Sequence, residues 1–357
     1  MSDQRTLPPP LAAGLARTHL AGIDGLRAIA AMLVVVYHAG VPGVPASTGV
    51  LAFFVLSGFL ITRLMIDEES ETKTVSLKRF YIRRSFRIFP AFYAYFFVVL
   101  AITWLRHQTI NPAWAASSFF YVSNYYQAIF GDPDGRLSHT WSLSVEEQFY
   151  LLWPVAFLAL RTTERRFKTL IVLIPVLWLY RELLVFVFHV NQGYIYEAFD
   201  TRVDHILMGC LLAVALHGGY LGWLWRIVCS SPWNILLTLG LIVLTFQGGR
   251  FIPVRDYRDS VEFVIMPVLC AVLVAQLVAF PDHLVTRPFN WGWMRYLGKI
   301  SYSIYLYQQI VVYPAMQLVP QSRTLGVIAA IVVTIIAAMG SWYVIEQPFL
   351  RLRKRFA

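Results

Sequence analysis

Stretches apolar and long enough to cross a bilayer recur about ten times in this chain, and no other feature constrains its fold as much. They lie near residues 26–41, 49–66, 88–105, 147–160, 169–188, 203–217, 233–247, 261–280, 300–319 and 324–345. A hydrocarbon core about 30 Å thick takes about 20 residues of helix, and only helices or closed barrels satisfy their own backbone groups inside it. The expectation is an all-α, polytopic integral membrane bundle of about ten transmembrane helices. Composition agrees: 58% of the 357 residues are hydrophobic and 14% are charged, about half the charge of a soluble domain. A soluble globule, a disordered chain, a disulfide-stapled secreted domain and a nucleic-acid-binding module are excluded by these proportions. The stretch 113–130 is aromatic but holds Ser117, Ser118, Ser123, Asn124 and Gln127, so it is expected to be interfacial or re-entrant.

The net charge of +10 would suggest a polyanionic partner on a soluble protein. Here its distribution points to topology instead. With ten spans and the N-terminus inside, 22 of the 30 Lys and Arg fall in inner segments and seven in outer ones, while Arg181 lies within a span. That bias predicts both termini in the cytoplasm and a place in the cytoplasmic (inner) membrane. Residues 1–20 lack the apolar core and cleavage site of a signal peptide and read as a cytoplasmic tail. Residues 21–350 form the membrane domain and 351–357 a basic tail. Cys210, Cys229 and Cys270 stand far apart, making neither a metal set nor a disulfide pair, and are expected to be buried inert thiols. No internal repeat is visible, which disfavours an inverted-repeat transporter.

Ionisable groups inside apolar spans are costly and therefore functional candidates. Arg27 and His38 stand eleven residues apart in the first span, about three helical turns and roughly 16 Å, so they share nearly one face at two depths. Such a stripe suits a long ligand with an anionic end and a reactive end. Taken alone, the pair favours the plainer reading of an interfacial Arg that snorkels and a His near the headgroups. The segment HTWSLSVEEQFYLLWP (139–154) carries Glu146 beside Glu147; adjacent residues face different ways on a helix, so one of the two is expected to point inward. A carboxylate near an imidazole can orient it and stabilise the imidazolium. The alternative makes Ser142 or Ser144 a helix cap with glutamates favoured by the dipole, and the two readings are compatible. Arg83, Arg84 and Arg87 crowd the inner mouth of the third span. They either clasp phosphates or serve as ordinary positive-inside anchors. Ser57 and Gly58 in FFVLSGFLITR let helices approach closely or leave room for a slender ligand.

Taken in order, these segments resemble the acyltransferase-3 family of membrane O-acyltransferases, whose members acylate O-antigen, exopolysaccharide, peptidoglycan, Nod factors and macrolides. The similarity runs from about residue 20 to 350. It includes GIDGLRAIAAMLVVVYH, FFVLSGFLITR, RRSFRIFP, WSLSVEEQFYLLWP, DTRVDHILMGCLLA (200–213), LGKISYSIYLY (297–307) and YVIEQPF (343–349). The resemblance implies that acyl-CoA enters from the cytoplasm as co-substrate, with no permanently bound cofactor or metal. Arg27, together with Arg83, Arg84 and Arg87, would lie near its phosphates, and its acyl end would reach His38. The acceptor hydroxyl would bind from outside near Trp141, Ser142 and Glu146. The chain departs from the pattern at Gln308, where many relatives carry His. It ends eleven residues after Glu346, so the hydrolase-type domain fused to some relatives is expected to be absent.

The function expected is transfer of a short acyl group, acetyl by the resemblance, from acyl-CoA to a glycan or similar hydroxyl. His38 is the general base, and Glu146 orients it or positions the acceptor. Direct attack and a covalent acyl-His step are both open. The partners expected are acyl-CoA, the hydroxyl acceptor and the lipid bilayer, with no nucleic acid. The rival reading is a carrier or flippase for a lipid-linked sugar, in which the same polar groups line a pathway and no thioester is broken.

Overall fold

The computed structural model describes residues 7–251, 257–353 and 356. Among them every regular element is helical. Ten helices have sixteen residues or more: α1 (Ala21–His38), α2 (Ala46–Thr72), α3 (Leu77–Leu105), α4 (Thr140–Ala159), α5 (Thr163–Phe186), α6 (Phe199–Gly218), α7 (Asn234–Phe251), α8 (Phe263–Ala279), α9 (Ser301–Met316) and α10 (Arg323–Ser341). They overlap the ten apolar stretches. Their boundaries follow local chemistry. The apolar run of α2 gives way to DEESET and stops at Lys73, which adopts a left-handed φ of 65°. Ser76 then opens α3, its hydroxyl accepting from the Arg79 N–H at 3.4 Å. Thr162 and Ser322 cap α5 and α10 in the same way.

Five segments are long and apolar enough to cross a bilayer unaided: Ala46–Thr72, Leu77–Leu105, Thr163–Phe186, Arg258–Ala279 and Arg323–Arg353. A sixth is made if Gln192–Gly218 and Gly222–Val228, bent by 104°, are one broken span. Among the described residues, length and composition thus bear out five or six of the ten expected spans. α1 carries Asp24 and Arg27, α4 carries Glu146 and Glu147, and α9 has sixteen residues. These three helices line an interior cavity, so neighbouring helices cover the faces that lipid would otherwise meet. The stretch 113–130 forms two eight-residue helices, Pro112–Phe119 and Ser123–Phe130. Its polar side chains turn inward: Ser123 and Ser144 share a 2.8 Å hydrogen bond, and Gln148 donates to Asn124 at 2.8 Å.

Helix α2 is the centre of the packing. One side crosses α6 so closely that a Cβ on Gly58 would lie 1.9 Å from the Ile206 carbonyl oxygen, and one on Gly209 1.9 Å from that of Val55. Only glycine permits this approach. On its other side α2 packs on α1, which in turn meets α9 and α10. Large apolar side chains face outward along α3 (Phe97, Trp104), α5 (Val172, Leu179), α7 (Leu237, Leu244) and α10 (Ile328, Ile336). A soluble protein keeps such residues scattered; here they make the lipid-facing surface.

Burial separates structural ion pairs from the interior site. Arg181 of α5 donates from Nη1 to Asp204 of α6 at 2.9 Å, and Trp178 Nε1 donates to the same carboxylate at 3.0 Å. Arg166 grips Glu69 through two hydrogen bonds of 2.5 and 2.8 Å. Both pairs tie helices together. Cys210, Cys229 and Cys270 are free and buried.

Candidate active site

A narrow cavity of about 90 Å³ lies between α1, α2, α3, α4 and α9. Arg27 enters it from α1 and its Nε donates to Ser301 of α9 at 3.2 Å. Arg84 and Arg87 enter from α3, one turn apart. The Arg84 guanidinium sits 4.7 Å from the centre of the Tyr150 ring. Among the described residues none of these three arginines makes an ion pair within 4 Å, so their charges converge on open space. Glu146 and Glu147 both line the cavity from α4. One inward glutamate was expected; two reach in because the cavity wraps around α4 widely enough to take side chains about 100° apart. Glu146 lies within electrostatic reach of Arg84 and Arg27, beside Ser57.

Helix α4 begins at Thr140 with His139 at its N-cap, so neither Ser142 nor Ser144 caps it. Ser142 instead hydrogen-bonds to Tyr305 of α9 at 2.5 Å and donates to the His139 carbonyl at 3.1 Å. Ser142, Tyr305 and Phe53 line the cavity. Both meanings of the Ser57–Gly58 pair are realised: Gly58 makes the α6 contact, and Ser57 lines the cavity, bonded to Tyr150 at 2.5 Å.

The structure gathers Arg27, Arg84, Arg87, Ser142 and Glu146 around one space. Three other candidates stand elsewhere. Arg83 pairs with Glu68, whose other oxygen accepts from the Ser76 N–H at 3.0 Å, so it braces the α2–α3 turn. Trp141 lies behind Phe54, against Tyr196 at 5.1 Å between ring centres. His38 is exposed at the end of α1, outside the cavity lining. Its Nδ1 is 2.9 Å from the Val34 carbonyl. A carbonyl only accepts, so Nδ1 carries the proton and Nε2 presents a lone pair, the tautomer a base requires.

A second, wider cavity, of about 530 Å³, shares Arg27 and Arg87 with the first. Asp24, Arg295, Lys299 and Trp342 line it. Arg295 and Lys299 were not singled out in the sequence, although their i, i+4 spacing puts them on one face. Tyr305 and His139 were also passed over. Each sits inside a quoted motif, where a buried polar residue beside apolar neighbours was the available signal.

An all-helical membrane protein with arginines and carboxylates converging on an interior cavity defines a class. Residues 20–344 match the sequence model of the acyltransferase domain known as acyltransferase-3. The chain belongs to this acyltransferase family. It is similar to the peptidoglycan O-acetyltransferase OatA of Listeria monocytogenes, at 30% identity over 93% of this chain and 56% of the relative. The putative peptidoglycan O-acetyltransferase YrhL of Bacillus subtilis is likewise 30% identical, over 92% of this chain and 55% of the relative. The putative O-acetyltransferase SACOL0978 of Staphylococcus aureus is 29% identical, over 82% of this chain and 51% of its own length. The chain thus spans about half the length of the curated relatives it matches. No solved structure is significantly similar to it.

Proposed function

We propose that the protein transfers an acetyl group from acetyl-CoA, taken from the cytoplasmic side, to a hydroxyl of a cell-surface glycan such as peptidoglycan. The observation carrying this reading is the pair of neighbouring cavities that share Arg27 and Arg87 in their linings. The wide one, with Arg295 and Lys299, suits a nucleotide bearing several phosphates; guanidinium groups bind these bidentately. The narrow one, flanked by serines, tyrosines and two carboxylates, suits a slender amide-bearing arm such as pantetheine. The relatives' names support a glycan acceptor. The excess of Lys and Arg on one side of the span order supports cytoplasmic termini and entry of the donor there.

In this reading the acceptor oxygen attacks the thioester carbonyl, His38 Nε2 takes the hydroxyl proton, the C–S bond breaks and CoA departs. Phe53, Ser142 and Tyr305 line the narrow cavity and His38 lies outside that lining, so in this reading the acyl end extends beyond the cavity to reach His38. Glu146, placed with the arginines, positions the donor arm in this reading rather than the imidazole.

The test uses inside-out vesicles holding the protein, given acetyl-labelled acetyl-CoA externally with a glycan acceptor in the lumen. CoA release with label on lumenal glycan from wild type, and neither from normally inserted His38→Ala, is the expected result. Movement of a lipid-linked sugar without CoA release would replace this reading with that of a carrier.

A further inference from the structure

A third cavity, of about 320 Å³, neighbours the wide one and shares His19 and Arg295 with it. Its walls come from the chain entering α1 and the chain leaving α8. Backbone contact fixes their separation. The short helix Pro9–Leu15 lies so close to α8 that a Cβ on Gly14 would stand 1.9 Å from the Val278 carbonyl oxygen. The first turns of α1 meet the turn Arg287–Asn290 in the same way, with a Cβ on Gly25 placed 2.1 Å from the Phe289 carbonyl oxygen. Only glycine permits such approaches, so the walls cannot part without loss of packing.

Leu20, Ile23, Leu277, Val278 and Pro281 make the lining largely aliphatic. Two of its polar residues are matched: Arg17 donates to Asp282 at 2.6 Å, and His19 is bonded to Asp24 at 2.9 Å. Two others are left open. Asn290 donates from Nδ2 to the Pro281 carbonyl, and a carbonyl only accepts, so the amide is held with Oδ1 turned away from it. That oxygen is buried without a partner, and a Cβ on Gly22, also in the lining, would stand 3.7 Å from it. Arg295, which lines both cavities, makes no ion pair within 4 Å among the described residues. An unmet carbonyl oxygen among aliphatic groups is costly unless a ligand completes it. A flat heteroaromatic ring with an amino group on its edge does so: its faces suit the aliphatic walls and its N–H suits Oδ1. A phosphate on the attached sugar suits Arg295.

We propose that the third cavity binds the adenine of the donor, with Asn290 Oδ1 accepting from its exocyclic amino group and Arg295 pairing with a phosphate of the nucleotide. This rests on the acetyl-CoA reading above and deepens it. The narrow, wide and third cavities then take the arm, the diphosphate and the nucleoside of one extended molecule. The consequence is donor selection. An acyl group carried on phosphopantetheine without the nucleotide, as on a carrier protein, leaves the third cavity empty and binds more weakly.

The test uses the full chain in lipid nanodiscs and reads affinity from displacement of radiolabelled acetyl-CoA. The competitors are acetyl-CoA, its hypoxanthine analogue, in which a carbonyl replaces the amino group, and acetyl-phosphopantetheine, which has no nucleotide. Wild type should bind acetyl-CoA about tenfold more tightly than the hypoxanthine analogue, as loss of one buried hydrogen bond predicts, and more tightly still than acetyl-phosphopantetheine. Asn290→Leu should bind the two bases alike and keep its affinity for acetyl-phosphopantetheine within about threefold of wild type. Equal affinity of wild type for the two bases, or an unchanged preference in Asn290→Leu, overturns the assignment. Photocrosslinking of wild type with an acetyl-CoA bearing an azide on its adenine needs no variant to fold. Cross-links within residues 17–23 or 277–290 are expected, and cross-links confined to other segments overturn the site. Wild type that binds no acetyl-CoA overturns the underlying reading as well, and is thereby distinguishable from wild type that binds it without regard to the base.

Discussion

At the scale of single residues, neighbouring arginines separate by what they touch. Arg87 faces both cavities, whereas Arg83 is held by Glu68. Charge-assisted hydrogen bonds of about 1.5–3 kcal/mol are at stake at Arg87, so Arg87→Ala should raise KM for acetyl-CoA about 10- to 100-fold with little change in kcat. Arg83→Ala, losing a partly exposed pair, should leave KM unchanged and cost under about 1 kcal/mol of stability. Steady-state kinetics on the two variants side by side decides this, and equal rises in KM would contradict the division of roles. His38→Ala should lower kcat about 10²- to 10⁴-fold without weakening donor binding, as removal of a general base does. A rise in KM alone would move His38 from chemistry to binding.

At the scale of helices, the α2–α6 crossing holds the cavity's shape. A Cβ on Gly58 has no room beside the Ile206 carbonyl, so Gly58→Ala should cost about 1–3 kcal/mol as the helices part. Gly240 of α7 has open space around it, and Gly240→Ala should stabilise by up to about 1 kcal/mol through helix propensity alone. Thermal unfolding followed by fluorescence-detected size exclusion measures both, and identical melting of the two variants would argue against the tight crossing. The α5–α6 pair behaves differently because it is ionic. Asp204→Ala leaves Arg181 buried without its carboxylate and should cost about 3–5 kcal/mol, visible in the same melts. Two π-helical turns, Arg258–Glu262 and Trp342–Glu346, redirect helices where a carboxylate is needed. Glu262 accepts from Ser47 at 3.2 Å, and Glu346 accepts from Ser303 within reach of Arg27 and Arg87.

At the scale of the whole molecule, sidedness is the property to measure. The three native cysteines are buried, so single cysteines introduced at exposed positions report through a quiet background. Glu71 lies at the end of α2 and Asp132 beyond Ser123–Phe130, both exposed. A membrane-impermeant maleimide applied to intact cells should label Asp132→Cys and spare Glu71→Cys, with inside-out vesicles giving the reverse. Labelling of Glu71→Cys alone from the outside would invert the proposed route of the donor, and labelling of both from the same face would contradict the span order on which it rests.

The sequence by itself determined the helical character, the lipid-compatible stretches, the family and the depth of each polar group along its own helix. Arg27 and His38 are separated by a rise that any α-helix imposes, so their spacing was legible without a structure. Which polar groups meet was not legible. The partners lie on helices distant in the chain: Arg27 with Arg84, Arg87 and Glu146, Arg181 with Asp204, Arg83 with Glu68. His139 was in plain sight in HTWSLSVEE, yet only the approach of Tyr95 and Tyr305 shows it enclosed edge-on between their rings. Rise per residue is a local property of one helix. The facing of two helices depends on side-chain packing over the whole bundle, where a contact such as Gly58 against Ile206 sets which faces meet.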